Sequence, residues 1–174
     1  MDSGISFHVD ATNGSSRRLS VKIEINGPFT ENILELRFPR WVPGSYFIRE
    51  PIQHMSDLSA TNDGEPVKVS RIDVDGVRIK GIKDSSKLVL TYKLLAAEMT
   101  CRANHLDSSH VHIMPPYTWM IPTRGISNSR MDGNHKVTME TPKDWETTTQ
   151  LSGKEGEWVA KGRDEFLDAI MELS

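Results

Sequence analysis

Leu19-Ser20-Val21-Lys22-Ile23-Glu24-Ile25 alternates apolar and polar side chains at every step, the period of two that turns one face of a strand to a core and the other to water. Downstream, Asn26-Gly27-Pro28 interrupts the run, and Leu34, Leu36 and Phe38 then alternate with Glu35 and Arg37, so a hairpin is expected there. Val74-Asp75-Gly76-Val77 places Asp-Gly between Ile72 and Ile79, and Asp63-Gly64 marks a second tight turn. Lys87 to Leu95, His110 to Met114, Tyr117 to Ile121 and His135 to Thr141 are further candidate strands, rich in Val, Ile, Tyr or Thr. Trp158, in Glu157-Trp158-Val159, belongs to a late one. Helical spacing is confined to the last stretch, where Asp164 can cap and Phe166, Leu167, Ile170 and Met171 share a face. The pattern predicts an all-β fold, a β-sandwich or curved antiparallel sheet with at most one short helix near the C-terminus.

The 174 residues suit one domain, expected over 1–174. With 21 Lys and Arg against 24 Asp and Glu, the net charge of −3 lacks the positive surplus that phosphate neutralisation favours, so nucleic acid is not an expected partner. The longest stretch free of Asp, Glu, Lys and Arg, Ser108 to Thr123, has 16 residues and three prolines, too short for the roughly 20 apolar residues of a membrane helix. The acidic start Met1-Asp2 lacks the positive charge and apolar core of a secretion signal, which sets the expectation of a cytoplasmic protein with no membrane partner. Cys101 is the single cysteine, so no internal disulfide or thiolate cluster can form.

Catalytic chemistry is sparse. The six histidines precede Val9, Met55, Leu106, Val111, Ile113 and Lys136, so the His-Glu-x-x-His of a helical zinc peptidase is missing. His110-Val111-His112 puts two imidazoles on one strand face, a metal-ligand spacing. No acid follows until Asp132, and whether Glu98, His105 or Asp107 converges on the pair is not set by spacing, so no metal is expected. Cys101 lies four residues from His105, but in a strand-and-loop context that does not by itself pair a thiol with a base. Ser45 lacks a Gly-x-Ser-x-Gly elbow, and Gly153-Lys154 is followed by Glu155 rather than Ser or Thr. No catalytic residue and no cofactor are assigned to the chain.

The densest group of costly residues is Trp41-Val42-Pro43-Gly44-Ser45-Tyr46-Phe47-Ile48-Arg49-Glu50. Pro43 and Gly44 constrain the backbone between Trp41 and Tyr46, aromatic rings that serve cores and interfaces alike, while Arg49 and Glu50 add opposite charges. This stretch is similar to the Trp-x-Pro-Gly-Ser-Tyr-x-Ile-Arg-Asp/Glu signature in the N-terminal domain of the glycyl aminopeptidase family, zinc metallopeptidases that also carry a PDZ domain. Tyr92 to Asp107 resembles the family's strand followed by an Arg-containing segment and a Leu-Asp pair, and Asp164-Glu165-Phe166-Leu167-Asp168 resembles its closing Asp-Glu-Leu-x-Asp. The similarity runs from about Leu19 to the end. One departure is Ile113-Met114-Pro115-Pro116, where relatives tend to have a Phe-Asn-Gly loop.

The resemblance implies a non-catalytic N-terminal β domain, excised from a longer metallopeptidase whose zinc lies in the missing catalytic domain. That domain is the expected partner, with peptide as the substrate of the whole enzyme. Trp41, Pro43, Gly44, Ser45, Tyr46, Arg49 and Glu50 are the candidate interface or substrate-entrance residues. An alternative is a free-standing β-sandwich that binds peptide or carbohydrate through exposed Trp41, Tyr46, Tyr117 and Trp119; a third reading is an enzyme built on His110 and His112.

Overall fold

The alternation around Val21 becomes the strand Arg18–Asn26 in a computed structural model that describes residues 1–40, 46–48 and 50–174. Leu19, Val21, Ile23 and Ile25 are each at most 2% exposed. This strand lies in an eight-stranded sheet whose spatial order is Ser152–Lys154, Glu157–Lys161, Asn134–Glu140, Asp2–Asp10, Arg18–Asn26, Lys87–Leu95, Met55–Asn62 and Glu65–Val67. Asp2–Asp10 runs parallel to Asn134–Glu140, and the other neighbours in this sheet are antiparallel. Register puts Trp158, Val137, Phe7, Ile23, Leu90 and Ala60 in one buried row across the sheet. Each large member of such a row contributes about 1.5–3 kcal/mol by leaving water.

Two four-stranded sheets complete the described residues. One is ordered Ile121–Arg124, Ile33–Arg37, Gly76–Lys80, Val69–Ile72, and the other Thr147–Thr149, Met171–Leu173, Val111–Ile113, His105–Leu106. Their apolar faces join one core with the large sheet, in an all-β, sandwich-like fold. Tyr92 bridges the layers: its hydroxyl donates to the Thr118 carbonyl at 2.6 Å and accepts the Met120 amide at 3.2 Å, while its ring meets Phe38 edge-on. Burial pushes the Tyr92 phenol far above its ordinary value, so it stays a neutral hydroxyl able to do both. Among the described residues no helix is long and apolar enough to cross a membrane.

Three local expectations are corrected. Arg18–Asn26 and Ile33–Arg37 form no hairpin but sit in different sheets, because the Gly27 and Phe29 amides donate to Ser86 and Asp84 carbonyls and carry the chain across the core. Tyr117 to Ile121 is not one strand: Pro115–Thr118 makes a single helical turn, its first residues suited to proline, before the strand resumes at Ile121. The C-terminal helix is shorter than its spacing indicates. It covers Gly162–Asp168, with Asp164 in its first turn rather than at the cap, and Met171 pairs in a strand instead. The Asp63-Gly64 turn forms as expected; the hairpin between Ile72 and Ile79 also forms, but its loop is Asp73-Val74-Asp75, and Gly76 pairs with Ile72 as the first residue of the returning strand.

Candidate functional site

Phe38 to Glu50 links Ile33–Arg37 in one sheet to Met55–Asn62 in another, so both its ends are fixed by packing. At its entry Phe38 is buried, its amide donates to the Asp75 carbonyl at 2.9 Å, and Arg40 Nε donates to Asp75 Oδ2 at 2.5 Å. Asp75 is 2% exposed and also accepts from Arg37 Nη1 at 2.9 Å. Burial alone would raise the Asp75 carboxyl, but the hydrogen bonds from Arg40 and Arg37 outweigh it and hold the group ionised below its usual range. On the same sheet Arg124, Glu35 and Arg78 face one another across the strands. Desolvation of Glu35 is again overcome, chiefly by Arg78 at 2.8 Å, so its carboxyl too stays below its ordinary value. At the exit, Pro51–His54 forms a short helical turn in which Pro51 and Ile52 are buried and the Gln53 amide donates to the Glu50 carbonyl.

Between these anchors, Tyr46 is 94% exposed, Phe47 69% and Ile48 54%. Three consecutive apolar residues in water between buried ends form the kind of surface that partners cover. Of the sequence-predicted site residues, Tyr46 and Glu50 are placed here, both exposed. Trp41, Pro43, Gly44, Ser45 and Arg49 lie outside the described residues. Of the aromatics invoked for a free-standing binding module, Tyr117 and Trp119 are buried, Trp119 in the core against Phe7 and Phe166, so half of that set is withdrawn from the surface.

A second cluster gathers histidines. Val111–Ile113 pairs with His105–Leu106 and with Met171–Leu173 in a register that sets His112 directly between His105 and Glu172. His105 Nε2 lies 2.9 Å from Asp107 Oδ2, His110 Nδ1 lies 3.5 Å from Asp107 Oδ1, and His112 Nδ1 bonds Glu172. The hydrogen bond from His105, then those from Ser109 and the His110 amide, hold the Asp107 carboxyl well below the usual carboxylate range. Spacing left open whether His105 and Asp107 meet His110; the strand pairing brings all three together. Cys101 is exposed and lines the same open hollow of about 250 Å³ as His105, His110 and His112.

Sequence reasoning overlooked Asp75, read only as a turn residue. No local signal marks an acid whose arginine partners lie 35 and 38 positions away.

The model of the family described as the Peptidase M61 N-terminal domain matches residues 6–174. No curated protein matches the chain in sequence. Among solved structures, an aminopeptidase N family protein from Idiomarina loihiensis superposes with a TM-score of 0.85 at 19% identity, over 98% of this chain and 29% of that one. An M1 zinc metallopeptidase from Deinococcus radiodurans gives 0.56 at 10% identity, over 98% of this chain and 41% of that one. Aminopeptidase A of Legionella pneumophila gives 0.54 at 10% identity, over 98% and 21%. The chain therefore spans well under half the length of these structures, and at such identities the likeness shows a shared fold. The extent of the family match decides the affiliation: this chain belongs to the Peptidase M61 N-terminal domain family.

Proposed function

We propose that this chain is the non-catalytic N-terminal domain of a zinc aminopeptidase, that it packs on the catalytic domain of the same polypeptide, and that the segment from Trp41 to Glu50 helps to shape the entrance for peptide. The observation that carries the proposal is the exposed run Tyr46-Phe47-Ile48 held between two anchored ends in a domain of a peptidase family. An apolar run of this kind is stabilised by a neighbour that removes it from water, and Arg40 and Glu50 at its margins supply the polar rim usual around such a contact. Catalytic zinc of the peptidase kind does not fit this chain, in which no histidine precedes a glutamate; zinc of that kind belongs to the following domain, where it would polarise the scissile carbonyl. This chain's part is then positional, excluding water and narrowing the approach of the peptide.

The test measures two properties of Tyr46→Ala and Ile48→Ser. Because both side chains are exposed, melting of the 174-residue chain should move little, within about 0.5 kcal/mol. In the longer protein that includes the catalytic domain, hydrolysis of aminoacyl reporters should fall. Unchanged hydrolysis in both variants overturns the reading, as does hydrolysis by the 174-residue chain alone.

A further inference from the structure

We propose that His105, Asp107 and His110 form a binding site for one divalent transition-metal ion of the zinc class. One nitrogen from each imidazole and one Asp107 oxygen lie within 4.8 Å of one another. Tetrahedral zinc with ligand bonds of about 2.0–2.2 Å brings its donor atoms to roughly 3.3 Å apart, so small side-chain rotations close the set. The His105 and His110 rings already stack with centroids 4.7 Å apart, and the strand pairing sets His112 opposite His105 as a neighbouring donor.

Two observations beyond proximity point to an ion. First, Nδ1 of His105 and Nε2 of His112 are buried with no hydrogen-bond partner, although His105 is 97% and His112 92% removed from solvent. Buried polar atoms are nearly always satisfied, and those that are not mark strain, chemistry or a bound species. In each ring the other nitrogen already bonds a carboxylate, Asp107 or Glu172, so Nδ1 of His105 and Nε2 of His112 are the atoms left without a partner. Second, Asp107 is fixed in place: its Oδ1 accepts the Ser109 and His110 amides at 2.7 and 3.0 Å and the Ser109 hydroxyl at 2.7 Å, while its Oδ2 lies 2.9 Å from His105 Nε2. His105 and His110 line an open hollow of about 250 Å³, which offers an ion a route from solvent and room for a water ligand.

Two nitrogens and one carboxylate favour Zn²⁺, Ni²⁺ or Cu²⁺ over Ca²⁺ or Mg²⁺, which take oxygen-rich shells. The inference departs from the sequence expectation of no metal because the third donor comes from strand pairing rather than from spacing. It is independent of the proposed peptidase role.

Zinc chloride titrated calorimetrically into the metal-stripped 174-residue chain should show one ion per chain and raise its melting temperature. Cobalt(II) in place of zinc should give the intense visible absorption of tetrahedral coordination. Asp107→Asn retains the oxygen that accepts the turn amides but removes the charge, and His110→Ala alters a half-exposed ring; each should weaken binding at least about tenfold with the β-rich circular dichroism intact. His8→Ala and His54→Ala, at other surfaces, should leave it unchanged. No stoichiometric event with zinc in large excess, or binding that survives Asp107→Asn combined with His110→Ala, overturns the proposal. Should Asp107→Asn fail to fold, His110→Ala alone decides.

Discussion

His135 shows how one buried side chain links local geometry to solution behaviour. It is fully buried between the Ser3 hydroxyl, 2.8 Å from Nδ1, and the Met131 carbonyl, 2.9 Å from Nε2, with Phe7 and Phe166 against its ring. That arrangement fits the neutral imidazole, with Nε2 donating to Met131 and Nδ1 accepting from Ser3. Burial, aided by the positive charge of Arg163, lowers its pKa below the ordinary value of 6.5. Between the folded value and 6.5 the unfolded chain binds the extra proton, so stability falls as the pH drops through that window and levels off beneath it. Melting temperatures of the chain should therefore decline from about pH 7 toward pH 5. His135→Gln, which keeps a donor and an acceptor but does not titrate, should flatten the decline. An equal slope in both proteins would assign the acid sensitivity to other groups.

Among elements, the connection from Asn26 to Ile33 decides whether two consecutive strands share a sheet. A Cβ on Gly27 would sit 2.4 Å from the Asp84 carbonyl oxygen and 3.1 Å from Ser85 Cα. Both are backbone atoms that cannot swing aside, so glycine is required there by close approach. Gly27→Ala should cost about 3 kcal/mol, at the upper end for overpacking, and should strip hydrogen-exchange protection from the Gly27 and Phe29 amides. Gly64→Ala is the control. Its backbone is left-handed, with φ +82° and open space around it, so about 1 kcal/mol of strain is expected without loss of those two amides. Equal effects would show that the approach to Asp84 does not direct the crossover. This connection also explains how far the fold was legible. Arg18–Asn26, with its strict period of two, is encoded locally, as is the Asp63-Gly64 turn. Which sheet a strand joins depends on contacts some 60 residues away, between Gly27 and Ser86, that no periodicity records. The candidate sites divide in the same way: the density of Trp, Pro and Tyr around Pro43 is visible in one dimension. The meeting of His105, Asp107 and His110 and the clamp of Asp75 on Arg40 arise only when strands pair.

Across the whole molecule, the two ends of the chain hold interior positions. Asp2–Asp10 lies inside the large sheet, flanked by Arg18–Asn26 and Asn134–Glu140, and Met171–Leu173 lies inside a small one, flanked by Val111–Ile113 and Thr147–Thr149. Phe166 from the last helix packs on Phe7 from the first strand, with ring centroids 4.2 Å apart. With closing strands so placed, neither the large sheet nor this small one can melt without exposing residues of the shared core, to which the third sheet also contributes Leu34, Leu36, Val77 and Ile79. The chain should therefore unfold in one cooperative step, with far-ultraviolet circular dichroism and the fluorescence of its tryptophans, Trp119 and Trp158 among them buried, giving coincident transitions. A chain ended at Ile170 tests the cause. It loses Met171 and Leu173, both at most 2% exposed, worth about 3–6 kcal/mol together at about 1.5–3 kcal/mol each. It also frees the edges of two strands. Against a total stability of about 5–15 kcal/mol, the loss is a large share, and the shortened chain should melt at a distinctly lower temperature than the intact one. Separate transitions in the intact chain, or a shortened chain that melts as the intact one does, would show that the three sheets are held independently and that the last strand is an appendage.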